Sequence, residues 1–170
     1  MRSTLVFLFL VVLAGCADTH EIIRTGATVK LSREASAYVG ISKDGAYGSA
    51  LYSGSGAMAA QAVAKAFGPY LSRVTVGKRE NLDNARKSAQ AGGYTYLLYP
   101  EILHWEDRAT EWSGIPDQVS VKVSVLNADT GAVLDSAVVT GKSGLGTVGG
   151  DRPEHLLPKP LSEYAATLFK

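Results

Sequence analysis

Cys16 is the residue whose type and position could do chemistry with no partner in the chain. It is the one cysteine among 170 residues and closes the run Leu13-Ala14-Gly15-Cys16. Before it lie Arg2 and nine apolar residues, Leu5 to Leu13. A hydrocarbon core needs about 20 residues of helix to be crossed, so this run is too short to span and fits a signal-peptide core. Small residues leading into a cysteine match the bacterial lipobox: cleavage falls between Gly15 and Cys16, and the thiol takes a diacylglyceryl group through a thioether. An exported chain with one cysteine has no internal disulfide to make. The expected division is a signal peptide over 1–15, a lipidated N-terminus and tether over 16–30, and a periplasmic domain over 31–170. Two or more acyl chains of the palmitate type make a firm anchor where one makes a marginal one. Ala17 after the cysteine, in place of an aspartate, points to the outer membrane's periplasmic leaflet ahead of the inner membrane, with Asp18 one position further on.

The other motifs with a chemical look fail on their surroundings. Gly144-Leu145-Gly146-Thr147-Val148-Gly149 spells G-x-G-x-x-G, but a dinucleotide site needs a following helix and an acidic residue about 20 positions on. Only 21 residues remain after Gly149, and they open with Gly150-Asp151-Arg152-Pro153. Gly141-Lys142-Ser143 has Ser136 where a phosphate loop needs its first glycine. Neither Ser53 nor Ser55 has the flanking glycines of a nucleophile elbow. His20, His104 and His155 are scattered without zinc-ligand spacing. Asn127, Asp129 and Gly131 fall short of a calcium loop and are explained as a turn. The expectation is therefore no enzyme, no cofactor and no metal. The formal charge of +1 becomes about zero once Arg2 leaves with the signal. That balance argues against nucleic acid and against polybasic membrane contacts.

The elements that position the remaining candidates follow from periodicity. Residues 35–41 read as a strand ending at the turn Lys43-Asp44-Gly45. After a loop rich in Gly, Ser and Tyr, the spacing of Ala60, Val63, Ala64, Phe67 and Leu71 gives one helical face. A short strand lies at 74–76, and a helix over 81–90 ends at Gly92-Gly93. Residues 94–104 form a long strand whose Pro100 marks an edge or bulge. Val119, Val121, Val123 and Val125 alternate with Ser120, Lys122 and Ser124, which gives a strand with one apolar face. The turn 127–131 leads to its partner at 132–140. Asp151 is placed as the cap of a last helix with Pro153 in its first turn; Pro158 and Pro160 break it, and Leu161, Tyr164, Ala165 and Leu168 resume the spacing. The fold class is a single α/β (α+β) domain: a mixed sheet of about five strands with three helices, order βαβαβββα, helices mainly on one face.

If helices connect the strands at 35–41, 73–77 and 94–104, these run parallel, and their C-terminal ends share the edge where open α/β sheets bind ligands. The loops 43–56, 77–81 and 105–117 leave that edge. They carry Tyr47, Tyr52, Ser53, Ser55, Lys78, Arg79, Trp105 and Trp112, of which the aromatic and Arg residues suit an interface. Ser53-Gly54-Ser55-Gly56 enters a helix whose free N–H groups suit an anion. The plainer reading makes Ser55 a helix N-cap, Gly54 and Gly56 turn residues, and the aromatics core.

Four segments carry a resemblance: Asp44-Gly45-Ala46-Tyr47-Gly48, Tyr52-Ser53-Gly54-Ser55-Gly56, Tyr99-Pro100-Glu101-Ile102-Leu103-His104-Trp105 and Gly149-Gly150-Asp151-Arg152-Pro153. Over about residues 30–170 the chain resembles a family of uncharacterised proteobacterial lipoproteins, a domain of unknown function that brings no reaction with it. More distantly, the element order resembles the small α/β domains of the Tol–Pal translocation protein's N-terminal part, curli-secretion lipoproteins and lipoprotein activators of cell-wall synthases. That resemblance implies work through protein contacts in the envelope. The expected function is a non-enzymatic protein-interaction or assembly module of the cell envelope, with a lipid anchor at Cys16 and an envelope protein as partner. The alternative is a binding module for a small anionic or glycan ligand at the 53–56 loop, with Lys78 and Arg79.

Overall fold

The computed structural model describes residues 18–26, 29–107, 116–144 and 152–169. In chain order its elements are β1 (Thr19–Arg24), β2 (Ser36–Ile41), the short pair β3 (Ala46–Tyr47) and β4 (Ala50–Leu51), and α1 (Ser55–Phe67). There follow β5 (Arg73–Arg79), α2 (Leu82–Ala91), β6 (Tyr96–Glu106), β7 (Gln118–Asn127), β8 (Val133–Lys142) and α3 (Pro158–Leu168). From β2 onward, leaving aside the small β3–β4 hairpin, the order is the expected βαβαβββα.

The centre of the sheet is β7, where the sequence pattern is cleanest. Val119, Val121, Val123 and Val125 are all fully buried on one face. The Asn127 side chain accepts the Thr130 N–H at 2.9 Å, and Gly131 adopts φ 75°, so the chain reverses into antiparallel β8. On its other side β7 pairs antiparallel with β6. Next to β6 lies β2, parallel, with β5 parallel at the edge, as the helical crossovers require. Pairing of β6 with β2 covers Tyr96 to Leu98 and stops just before Pro100, which has no N–H to offer.

The main sheet has six strands, in the order β1-β8-β7-β6-β2-β5, one more than expected. The extra strand is β1, which lies within the stretch read as a tether and pairs with β8 from Thr19↔Lys142 to Arg24↔Ala137. Its alternating exposed and half-buried residues mark an edge strand whose place is set by distant contacts. The domain therefore begins before residue 31. Pro158 and Pro160 do not break a helix; they occupy the first turn of α3, where a missing N–H costs nothing. Pro153 starts a separate 3-10 turn, Pro153–Leu156. The Asp151 cap, the signal peptide, Gly15 and Cys16 lie outside the described residues.

Two cores follow from the alternation along β2. Ala37 and Val39 face a large core closed by α1 and α3, in which Phe67 meets Tyr164 edge-on at 6.1 Å between ring centres. Tyr38 faces the other way, into a smaller core under α2, whose Ala85 and Ala89 let that helix sit close to the sheet. Two of the three helices thus share one face.

Between β1, β8 and α3 lies a buried charge. Asp135 is fully buried; it pairs with Arg24 and accepts the Tyr164 hydroxyl at 2.8 Å. Burial, then the bond to Asp135, pushes the Tyr164 phenol far above its ordinary range, so it stays a donor. Arg24→Met leaves the Asp135 charge with Tyr164 alone. The expected loss is about 3 kcal/mol, the low end for a broken buried pair, because Arg24 keeps 25% of its side chain exposed. Urea unfolding reads this directly; a loss under about 0.5 kcal/mol is what a solvent-exposed pair would give.

Candidate functional site

The connection after β2 passes to α1 on one face of the sheet, and the connection after β5 passes to α2 on the other. Adjacent parallel strands whose chains part in this way leave a crevice at their C-terminal ends. Here it is a cleft of about 670 Å³ walled by residues 42–44 after β2 and by 79–82, with Tyr99, Glu101 and Ile102 of β6 on its third side.

Asp44 organises the wall. One carboxylate oxygen accepts the Gly56 N–H at 2.9 Å and an Arg79 N–H at 2.8 Å. The bond from Arg79 holds the Asp44 carboxyl below its usual range, with the Gly56 and Gly54 N–H groups adding to that against the cost of burial. The positive end of α1 is therefore met by a carboxylate from the chain itself. An external anion at the 53–56 loop, where Ser53, Gly54, Ser55 and Gly56 were expected to bind one, would have to displace it. Nor is Ser55 the N-cap: that position is Gly54, at φ 89°. Ser55 is buried, and its Oγ accepts the Gly45 N–H at 2.8 Å.

Glu80 forms the opposite wall. Its side chain is 6% exposed and accepts the Tyr38 hydroxyl at 2.7 Å and the Ser88 hydroxyl at 2.8 Å, with Lys78 Nζ at 3.8 Å. Tyr38 reaches it by crossing β5 at Gly77, where any Cβ would overlap the phenol. The Tyr99 hydroxyl donates to the Glu80 carbonyl at 2.8 Å. Burial raises both phenols; the bond to Glu80 adds to this at Tyr38, and the charges of Glu101 and Glu80 add to it at Tyr99. Both therefore serve as donors and not as bases.

The expected site residues separate into groups. Arg79 lines the cleft, and Lys78 is exposed beside it; both belong to β5 and not to a loop. Tyr52, Ser53, Ser55 and Trp105 border a second pocket of about 300 Å³ together with Leu51 and Met58. Trp105 belongs to β6 and is 2% exposed, so its bulk is core. The Tyr52 hydroxyl donates to the Asp107 carbonyl at 3.4 Å. Tyr47 is exposed and meets His104 edge-on at 5.1 Å. Trp112 lies outside the described residues. Asp44, Glu80 and Tyr99 were not anticipated. Asp44 had a signal, an Asp-Gly turn between a strand and a helix start; Glu80 had none, because its partners come from β2 and α2. Among the described residues, no cluster of three or more His, Cys, Asp or Glu is arranged to hold a metal ion.

The fold and cleft define a mixed-sheet α/β domain with a crevice at the strand ends. The chain belongs to the family described as Domain of unknown function (DUF4823), which it matches over residues 29–168. A search of the curated proteins finds no match. Among solved structures it is similar to the PelC dodecamer from Paraburkholderia phytofirmans, with TM-score 0.70, 14% identity, 88% of this chain and 97% of that one covered. It is also similar to the lipoprotein GNA1162 from Neisseria meningitidis, with TM-score 0.51, 17% identity, 79% of this chain and 97% of that one covered. At these identities the likeness is one of fold. Among the described residues no helix is long and apolar enough to cross a membrane.

Asp44→Ala removes the acceptor of the Gly56 N–H in the first turn of α1 and should cost about 1 kcal/mol at neutral pH, the value usual for a side-chain acceptor lost at a helix N-terminus. Because the folded carboxyl titrates below its unfolded value, this contribution is complete above about pH 4 and fades as the pH falls further. Unfolding curves of the two proteins should therefore differ at pH 7 and converge in acid; a gap that is constant with pH would mean that the carboxylate charge contributes nothing.

Proposed function

We propose that this chain is a lipoprotein anchored through Cys16 to the outer membrane, facing the periplasm, where its domain acts without catalysis as a protein-interaction or assembly module. The observation that carries this reading is the run Leu13-Ala14-Gly15-Cys16, which ends three residues before β1. A lipidation site so near the first strand makes sense as the attachment point of the whole domain. Two further points support the reading. The fold is shared with a protein described as a lipoprotein and with one described as a dodecamer, so it is compatible with both anchoring and assembly. In the cleft, Asp44 and Glu80 are engaged in holding α1, α2 and Tyr38, which makes them structural in place of acid–base partners.

A second reading is favoured by the cleft itself. A crevice of about 670 Å³ with a tyrosine and two aliphatic side chains, Leu82 and Ile102, has the size and lining of a small-molecule site. It moves the binding alternative from the 53–56 loop to the strand ends, with Lys43 and Arg79 at its rim.

The anchor is tested by mass spectrometry of the mature N-terminus and by fractionating cells that carry Cys16→Ala. The expected results are an acylated Cys16 and release of the variant from membranes; an intact Met1 or an unmodified Cys16 would overturn the anchor. For the module, crosslinking in cells from the exposed apolar positions 23 and 133 should give a defined protein adduct, either a second copy or another envelope protein. A monomer without adducts that co-purifies with a small molecule would replace the first reading with the second.

A further inference from the structure

The sheet register shows which end of the domain faces the anchor. Glu106 at the end of β6 pairs with Gln118, Gln118 with Lys142, and Lys142 with Thr19. The chain therefore runs back from β1 toward Cys16 at the end of the sheet where β6 finishes and where the cleft opens. Asp18 is fixed there, its carboxylate accepting the Gly144 N–H at 3.0 Å. From Asp18 to Cys16 is two residues, at most about 7 Å of extended chain. An acylated Cys16 would hold this end of the sheet at headgroup level.

The same end collects the exposed apolar side chains. Seven large ones are substantially exposed among the described residues, and five of them (Tyr47, Leu51, Met58, Leu82 and Leu103) lie here. Leu51, on the β3–β4 hairpin, is the most open at 66%. The hairpin sits level with the start of β1: Tyr47 packs on His104, which is in register with Ser120, Thr140 and Glu21. Val133, exposed at 60%, marks the opposite end, where β8 begins. Leucine and tyrosine at a water-facing surface are what an interfacial contact with lipid uses, and a neighbouring Lys43 can extend its ammonium to the headgroups.

We infer that the β3–β4 hairpin, through Leu51 and Tyr47 with Met58 beside them, is a second membrane contact that rests on the phospholipid surface and orients the domain with its strand-end cleft toward the bilayer. This rests on the anchor reading above. It assigns the exposed patch to lipid and not to a protein partner, because the covalent reach from Asp18 keeps this end of the sheet within a few ångströms of the anchor.

The test uses the full lipidated protein reconstituted into vesicles of phosphatidylethanolamine and phosphatidylglycerol. With Cys16 blocked by its thioether, Leu51→Cys or Val133→Cys supplies a single thiol for an environment-sensitive fluorophore. The expected result is a blue shift at 51 and loss of its emission to nitroxide-labelled lipids, with neither change at 133. Equal responses at the two positions, or a response at 133 alone, on protein that floats with the vesicles would overturn the hairpin contact and leave the anchor standing. Protein that does not float would overturn both. In whole envelopes, a photocrosslinker at 51 should capture lipid; capture of a protein in its place would also overturn the inference.

Discussion

The buried carboxylate of Asp135 is the constraint on which the arrangement of this domain depends. A charge removed from water is costly unless its oxygens are met, and here one is met by Arg24 from β1 and the other by Tyr164 from α3. The first strand and the last helix are thus tied to the same residue of β8. Buried ion pairs often add little net energy over an apolar cluster of the same volume, so the tie matters chiefly for geometry. A carboxylate with two assigned partners reinforces the one register that the β1–β8 ladder holds. That register sets where the N-terminal segment leaves the sheet. With α3 held, Leu161, Tyr164 and Leu168 close the large core over α1. Backbone contacts add to the closure, such as the Leu31 N–H donating to the Leu168 carbonyl at 2.9 Å.

Asp44 does for the cleft what Asp135 does for the chain ends. It joins the loop after β2 to the start of α1 and to the last residue of β5, so three segments distant in sequence share one oxygen. Glu80 repeats the device between β2, β5 and α2. The cleft is therefore rigid at its walls, and its shape is set by side chains that are already satisfied. What remains for a visitor is the ring of Tyr99, the aliphatic side chains of Leu82 and Ile102, and Lys43, which suits binding.

The parts of this fold that could be read from sequence are those governed by local periodicity. The valines of β7, the helical stripe from Ala60 to Phe67 and the turn at Asn127 each carry their own signal, and the order βαβαβββα follows from them. What escaped depends on contacts between distant residues. β1 has only Ile22 and Ile23 as apolar residues between charged ones, and its identity as a strand comes from pairing with a segment more than a hundred residues away. Lys78 and Arg79 look like loop residues because β5 is an edge strand, where charge on the outer side is normal. Pro158 and Pro160 were misread because proline ends a helix from within but begins one from its first turn. At the site, the glycine-serine run before α1 reads as a helix entrance, but the occupant of that entrance, Asp44, sits twelve residues before the Gly56 N–H it meets and becomes visible only when the chain folds.

Gly77 and Tyr38 behave as one piece of the structure split between two strands. The phenol passes over β5 through the space of an absent side chain and there meets Glu80. Across related sequences, the two positions should consequently vary together: a residue with a Cβ at 77 can be accommodated only where 38 has become small, and the carboxylate at 80 then loses the donor that justifies its burial. The three positions should therefore change as a set, and a sequence in which they have done so should have a crevice of different shape.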